Sequence, residues 1–386
     1  MDLFSDDIRR NPYPLYERIR GSLPVFRDPQ SGLWMIFDYD GVKQALCDQE
    51  AFSSQYGPDW LVFNDPPRHS KLRALVSRAF TPKSVANLEP RIAELSRELL
   101  DQTIERGKMD LAADFAVPLP MMVIAEMLGI PLEDRGQFKR WVDVILRMSY
   151  TIGRQGEESQ SALSDFRQVS MEMNQYLTAL LAQRHANPKD DLLTRLSQAE
   201  VDGERLTKSE ILGFFQLLLL AGSETTTNLI NNAILCFIEN PDQLAKLRCQ
   251  MELMPSAIEE LLRYRSPLQW VYRVTRRKVE LHREIIPAET LVLAMIGSAN
   301  HDPKYFTNPS RFDIARDPNP HIGFGTGQHF CLGASLARLE ATVTLTELLE
   351  RLDEIELASK EPWPPRKGLH VHGPSSLPIR FKVRRK

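Results

Sequence analysis

The residue in this sequence best placed to do chemistry is Cys331, in the run Phe324-Gly325-Thr326-Gly327-Gln328-His329-Phe330-Cys331-Leu332-Gly333. Glycine permits positive φ and lets the backbone approach a flat ligand closely. Past the loop, Leu332, Leu336, Leu339 and Val343 recur at helical spacing, which places Cys331 near a helix N-terminus. There the helix dipole and free amide hydrogens favour a thiolate, and a thiolate is a strongly electron-donating metal ligand. A lone cysteine in a glycine-rich turn is otherwise a small buried residue, and that reading is kept for Cys47, Cys236 and Cys249.

A second constellation lies in the middle of a long helical segment: Ala221-Gly222-Ser223-Glu224-Thr225-Thr226-Thr227. Glycine and threonine each cost up to about 1 kcal/mol in a helix relative to alanine, so the segment predicts a local weakness. The Thr225 hydroxyl can bond the Ala221 carbonyl one turn back or a bound ligand, and Glu224 can relay a proton. From residue types alone, a hydroxyl-lined kink in a buried helix fits as well. Glu260 and Arg263 stand three apart on a helix, but Glu17/Arg20, Glu94/Arg97 and Glu280/Arg283 share that spacing, and such pairs are usually solvated.

The cysteine loop resembles the haem-binding signature of the cytochrome P-450 family, Phe-x-x-Gly-x-His/Arg-x-Cys-x-Gly, at every fixed position. The resemblance runs from Asn11-Pro12-Tyr13 to Leu377-Pro378-Ile379-Arg380-Phe381. It implies a mainly α fold with small β-sheets, a triangular prism-like single domain over residues 1–386. The cofactor it implies is haem b, with Cys331 as the iron ligand in a loop shaped by Phe324, Gly325 and Gly333. Ala221 and Gly222 then border the haem, and Glu224 and Thr225 form the acid–alcohol pair that delivers protons to O2. Glu260 and Arg263 join Arg311, from the stretch Pro303-x-x-Phe306-x-x-Pro309-x-x-Phe312, in a buried charged triad. His69, Arg73, Arg273 and His329 hold the propionates. By type alone His69 and Arg73 also fit an exposed basic face with Lys71 and Arg78, and Arg276 and Arg277 crowd Arg273.

The implied activity is a monooxygenase that inserts one oxygen atom from O2 into an apolar small molecule, by hydroxylation or epoxidation. A peroxide-driven peroxygenase and a non-catalytic haem sensor are the competing readings, and the acid–alcohol pair favours the first activity over the peroxide-driven one. A haem domain leaves no room in 386 residues for a flavin or iron–sulfur domain, so electrons are expected from a separate ferredoxin and ferredoxin reductase. The family's layout puts the substrate pocket at four places. These are Trp60, Leu61, Val62 and Phe63 before Asp65; Leu217 and Leu218 on the long helix; Leu268, Trp270 and Val271 after Pro267; and Ser375 in the tail. Two departures concern turns: Pro287-Ala288-Glu289-Thr290 carries glutamate where relatives have glycine, and Leu281-His282-Arg283-Glu284 lacks the usual glycine pair.

These groups need a scaffold, and apolar spacing of three and four predicts helices at 90–105, 120–128, 134–148, 162–186 and 207–239. A short helix is expected at 11–25, strands at 34–37 and 291–296, a helix after Cys331 and a strand-like tail at 377–383. Asp38-Tyr39-Asp40-Gly41 reads as the turn closing the first strand. Asp65-Pro66-Pro67 reads as a helix start that sets His69 and Arg73 one turn apart. Thr207-Lys208-Ser209-Glu210 is a capping box. With 42% hydrophobic residues the chain can bury a large core, and a net charge of -3 gives no basic field for nucleic acid. The acidic start does not read as an export signal, the four cysteines do not make a disulfide framework, and the apolar run 211–222 is broken by Gln216. The expectation is a cytoplasmic protein with no membrane anchor.

Overall fold

A computed structural model describes residues 5–29, 31–57, 60–151, 156–368 and 370–384. They group into two compact units, one formed by Met1–Tyr56, Ser96–Ala116 and Thr225–Lys386, the other by Gly57–Leu95 and Val117–Glu224. Two of the chain's passages between units fall inside helices, Glu89–Asp101 and Lys208–Glu239, so neither unit is a contiguous stretch of sequence.

The first unit holds the larger sheets. Five strands lie in the order Val25–Arg27, Trp34–Ile36, Leu291–Ala294, Val271–Thr275 and Phe52–Ser53, with the second and third parallel and the other pairs antiparallel. Alternation along the strands sorts their side chains. Trp34, Ile36, Val292 and Ala294 enter one buried cluster, while Met35, Phe37 and Leu293 enter another. Asp38 does not merely end a strand. Its carboxylate accepts from Gly41 N (3.1 Å), which caps a helix, Tyr39–Cys47, that the turn-like residues had hidden. A second sheet joins Leu352–Leu357, Pro378–Val383 and Lys108–Asp110.

The second unit is helical, with Arg68–Ala79, Pro118–Met127, Arg135–Thr151 and Glu157–Ala186 packed with the first half of Lys208–Glu239. Its core is aromatic: Phe138 lies 5.0 Å from Trp141 and 5.6 Å from Phe215, centroid to centroid. The capping box forms as expected, with Glu210 N donating to Thr207 Oγ1 (3.2 Å) and Thr207 N to Glu210 Oε2 (2.8 Å). The helix it starts runs unbroken to Glu239, so the expected weakness at 221–227 does not interrupt it. It ends where Pro241 can no longer donate, and Asn240 Nδ2 donates to Cys236 O (2.8 Å).

Both unusual turns adopt left-handed backbone without glycine: His282 has φ 49°, Arg283 69° and Glu289 53°. Exchanging Arg283 or Glu289 for glycine removes a Cβ penalty that exceeds glycine's own entropic disadvantage. Each replacement is expected to stabilise the protein by about 0.5–1 kcal/mol. A urea denaturation midpoint that does not rise in either variant would contradict this.

Candidate active site

The cysteine loop is shaped by two glycines with φ 71°, Gly325 and Gly327. Gly327 has a second reason to lack a side chain. A Cβ there would stand 3.2 Å from Cys47 Sγ and 3.3 Å from Leu46 O, at the end of the helix Tyr39–Cys47. Cys47 therefore backs the loop rather than filling a core. Cys331 N donates to Phe324 O (2.9 Å) and Ala334 N approaches Cys331 O (3.4 Å) as the helix Ala334–Arg351 begins. The thiol-bearing residue is itself exposed.

Arg338, on the first turns of that helix, lays its guanidinium over the Phe324 ring at 4.6 Å. Glu259 fixes it, accepting from Nε (2.6 Å) and Nη2 (2.8 Å), and also bonds His321 Nε2 (2.9 Å). Burial works against ionisation of Glu259, but Arg338 and His321 outweigh it and hold the carboxyl at about 2. Arg338 also interacts electrostatically with Cys331, and a nearby cation favours the thiolate.

The neighbouring glutamate faces the opposite way. Glu260 and Arg263 are both fully buried and joined at 2.7 Å and 2.8 Å. Arg263 Nη1 reaches onward to Asn300 O (3.0 Å) and Pro309 O (2.8 Å). The third member is Arg316, whose Nε donates to both Glu260 oxygens (3.2 and 3.0 Å). This corrects the expectation for Arg311, whose side chain is exposed. Phe312 points inward, so its neighbour points out, and the turn closed by Arg316 N to Asp313 O (3.0 Å) brings Arg316 back to the carboxylate. Arg311 contributes only its carbonyl, to Arg263 (3.2 Å) and Arg316 (3.0 Å).

Of the four cationic or hydrogen-donating candidates, Arg273 and His329 share a unit with Cys331. Arg273 is buried on the strand Val271–Thr275, while Arg276 and Arg277 are exposed beyond it. Ser53 pairs with Val274, so continuing that register sets Ser54 beside Arg273, and Ser54 Oγ bonds His329 Nε2 (3.1 Å). In the other unit His69 is buried and Arg73 half-buried, one turn apart on Arg68–Ala79.

The helix Lys208–Glu239 is buried along most of its length from Ile211 onward, yet Ala221 is exposed and Leu218, Gly222 and Thr225 are half-buried. Spacing of three, four and seven puts these four on one face. Glu224, the next residue in the chain to Thr225, is buried. Gly222 is small for packing as well as for access: a Cβ there would meet Ile124 Cδ1 at 2.6 Å.

The family model "Cytochrome P450" matches residues 16–379. The chain belongs to the cytochrome P450 family. Cytochrome P450 109 of Bacillus spizizenii is 41% identical over 392 residues, covering 98% of this chain and 94% of that protein. Cyclomarin C epoxidase CymV of Salinispora arenicola is 40% identical over 393 residues, 98% of each. The crystal structure of CYP109E1 from Bacillus megaterium in complex with corticosterone superposes with a TM-score of 0.91 at 40% identity, covering 98% of this chain and 100% of that one. The fold is that of a P450, mainly α with small sheets, and the protein is a haem b-dependent monooxygenase, an oxidoreductase. Its cysteine loop suits that cofactor. Among the described residues no three His, Cys, Asp or Glu side chains gather as a metal cage. No helix among them is long and apolar enough to cross a membrane.

The expected pocket residues of this P450 separate on inspection. Trp60 and Leu61 are buried, Val62 is exposed, and Trp60 stacks on Phe63 at 5.9 Å. Trp60 Nε1 donates to Gln216 Oε1 (3.1 Å), whose Nε2 donates to Ser170 Oγ (3.1 Å). Gln216 was visible in the sequence only as a break in an apolar run. Leu217 is buried and Leu218 half-buried. Trp270 packs with Tyr272 against the cluster of Met35 and Phe37, whereas Leu268 and Val271 pack on the opposite cluster. Neighbours along an extended strand point to opposite faces, so Trp270 and Val271 do not line one cavity. Ser375 is exposed and its hydroxyl donates to Pro364 O (3.1 Å). Arg316, Arg338 and Glu259 were not singled out by sequence. A cation seven residues after Cys331 was the one usable signal among them.

Arg316→Ala removes the charged hydrogen bonds to both oxygens of buried Glu260, leaving Arg263 as its one cationic partner, and is expected to destabilise the protein by about 1.5–3 kcal/mol or to impair haem retention. Arg311→Ala is expected to change little, and equal losses in the two variants, measured by urea denaturation and haem content, would reject Arg316 as the third member. The Glu259 carboxyl titrates in the folded protein below its ordinary value of 4.5, so its contribution is full above that pH and fades toward about 2. Glu259→Gln is therefore expected to be less stable than the parent at neutral pH and to converge with it as pH falls through that window. A constant difference across the window would count against the clamp.

Proposed function

We propose that the 386 residues act as one haem-binding unit that hydroxylates or epoxidises an apolar molecule of roughly steroid size, fed by a separate ferredoxin and its reductase. The carrying observation is the accessible face of the central helix. Ala221 is exposed and Leu218, Gly222 and Thr225 are half-buried on one face of a helix whose middle is mostly buried, with Glu224 beside them. The corticosterone complex of the relative and the epoxidase among the homologues support the substrate class and the two outcomes.

In this reading Cys331 would hold the haem iron through its thiolate, its loop shaped by the glycine turns and the thiolate favoured by Arg338 and the start of the helix behind it. Arg273, His329, His69 and Arg73 offer positive charge and donors to the propionates. When bound, haem b supplies the reduction of O2 and the transfer of one oxygen atom to the substrate. The small side chain of Ala221 and the bare Gly222 leave space beside the Thr225 hydroxyl. That hydroxyl presents a hydrogen bond to the site, and Glu224 passes it a proton. Apolar residues at Leu217 and Leu218 exclude water and hold a greasy substrate.

Cys331→Ser is expected to abolish the strongly red-shifted band of the reduced carbon monoxide complex, while Cys236→Ser leaves it intact. Glu224→Gln is expected to lower turnover about 100-fold. Thr225→Ala is expected to divert electrons to peroxide. Unchanged coupling of electron use to product in both Glu224→Gln and Thr225→Ala would refute the acid–alcohol role.

A further inference from the structure

Past Thr225 the central helix carries Asn228, Asn231 and Asn232, all wholly buried. Steps of three and seven from Thr225 stack Asn228 and Asn232 along its own face of the helix. Asn232 Nδ2 donates to the carbonyls of Arg265 (3.1 Å) and His372 (2.9 Å). Asn232 Oδ1 and both polar atoms of Asn228 and of Asn231 make no hydrogen bond within the described protein. Asn228 points toward the same turn, since a Cβ at Gly373 would stand 2.5 Å from its Oδ1. The pattern continues outward, where His372 Nδ1, Gln269 Oε1 and Arg265 Nε and Nη1 are also buried without a protein partner. Arg265 then lines a cleft of about 420 Å³ together with Tyr13, Glu239, His301 and Trp363. Glu239 accepts from Arg265 Nη2 (3.2 Å) and its side chain is 43% exposed, so this cleft meets solvent.

Buried amides left unbonded by protein are rare, and ordered water is their usual partner. Here they are concentrated in one seam between a solvent cleft and Thr225. Asparagine both donates and accepts, so it can hold a chain of water without itself titrating. The monooxygenase reaction consumes two protons and two electrons with each O2, one oxygen atom entering the substrate and the other leaving as water. We propose that the asparagine seam is a water-bearing route that carries those protons from the cleft at Glu239 and Arg265 to Thr225. The proposal rests on the acid–alcohol reading of Thr225 given above, and identifies Asn228 and Asn231 as positioning residues for water.

The test compares haem-loaded Asn228→Leu and Asn231→Leu proteins with the parent and with Thr225→Ala. The carbon monoxide spectrum and the substrate-induced spectral shift verify that haem and substrate still bind. The expected result is a several-fold loss of coupling between electron use and product, with a larger solvent deuterium isotope effect on turnover, at unchanged substrate affinity. Parental coupling and isotope effect in the asparagine variants, with Thr225→Ala uncoupled, overturn the route and leave the acid–alcohol pair standing. Parental behaviour in Thr225→Ala as well removes both. Where leucine prevents folding, a crystal structure of the unmodified holoenzyme decides. Ordered waters on Asn228 and Asn231, continuous to the cleft, are expected, and a dry or interrupted seam overturns the proposal.

Discussion

Two adjacent carboxylates on one helix, Glu259 and Glu260, secure the loop that carries Cys331, and they do so in opposite directions. Glu259 grips Arg338 and His321, and Arg338 in turn covers Phe324 at the head of the loop. Glu260 sits fully buried between Arg263 and Arg316, and Arg263 gathers the carbonyls of Asn300 and Pro309. A charge pair taken so far out of water is stable only when every remaining donor is used, and Arg263 meets that condition through backbone carbonyls. The cysteine is thus exposed for ligation while Arg338 covers Phe324 within its loop and Glu260 holds Asn319 ahead of it. A loop with two left-handed glycines would otherwise be the least ordered part of the site.

The central helix solves a different problem. It must cross a buried environment yet leave one face open, and it does so with small residues and a polar pair in place of a kink. The backbone stays helical through Gly222 and the threonines because surrounding packing outweighs their weak propensity. Propensity therefore predicts a weakness here that packing overrides. What distinguishes the segment is accessibility, with Leu218, Ala221, Gly222 and Thr225 lying on one side.

The cysteine loop could be found in the sequence because its residue types are fixed at short spacing, whereas Glu260/Arg263, which shares its spacing with three other pairs, stood out only by its place ahead of the Pro303–Phe312 stretch. The central helix could be found because its capping box and apolar period are local signals. The helix Tyr39–Cys47 was hidden because Asp38 and Gly41 serve equally well in a turn and in a cap. Arg316 was hidden because which of two arginines meets a buried carboxylate depends on the turn between them, a three-dimensional fact. Trp270 and Val271 look in sequence like one apolar surface, whereas the extended backbone divides them between two clusters. Gln216 had a signal, a lone amide in an apolar run, but its partner Trp60 lies far away in sequence.

Gly222 and Ile124 have a consequence for how such a site can diversify. The space denied to a side chain at position 222 is already filled by the Ile124 methyl. The atom in the way is the far end of a flexible side chain, so a small residue at 222 is accommodated when that methyl turns aside. Variation at the helix face is thereby tied to the rotamer freedom of a residue on another helix, and the cost of a substitution at 222 is set by how freely Ile124 can turn.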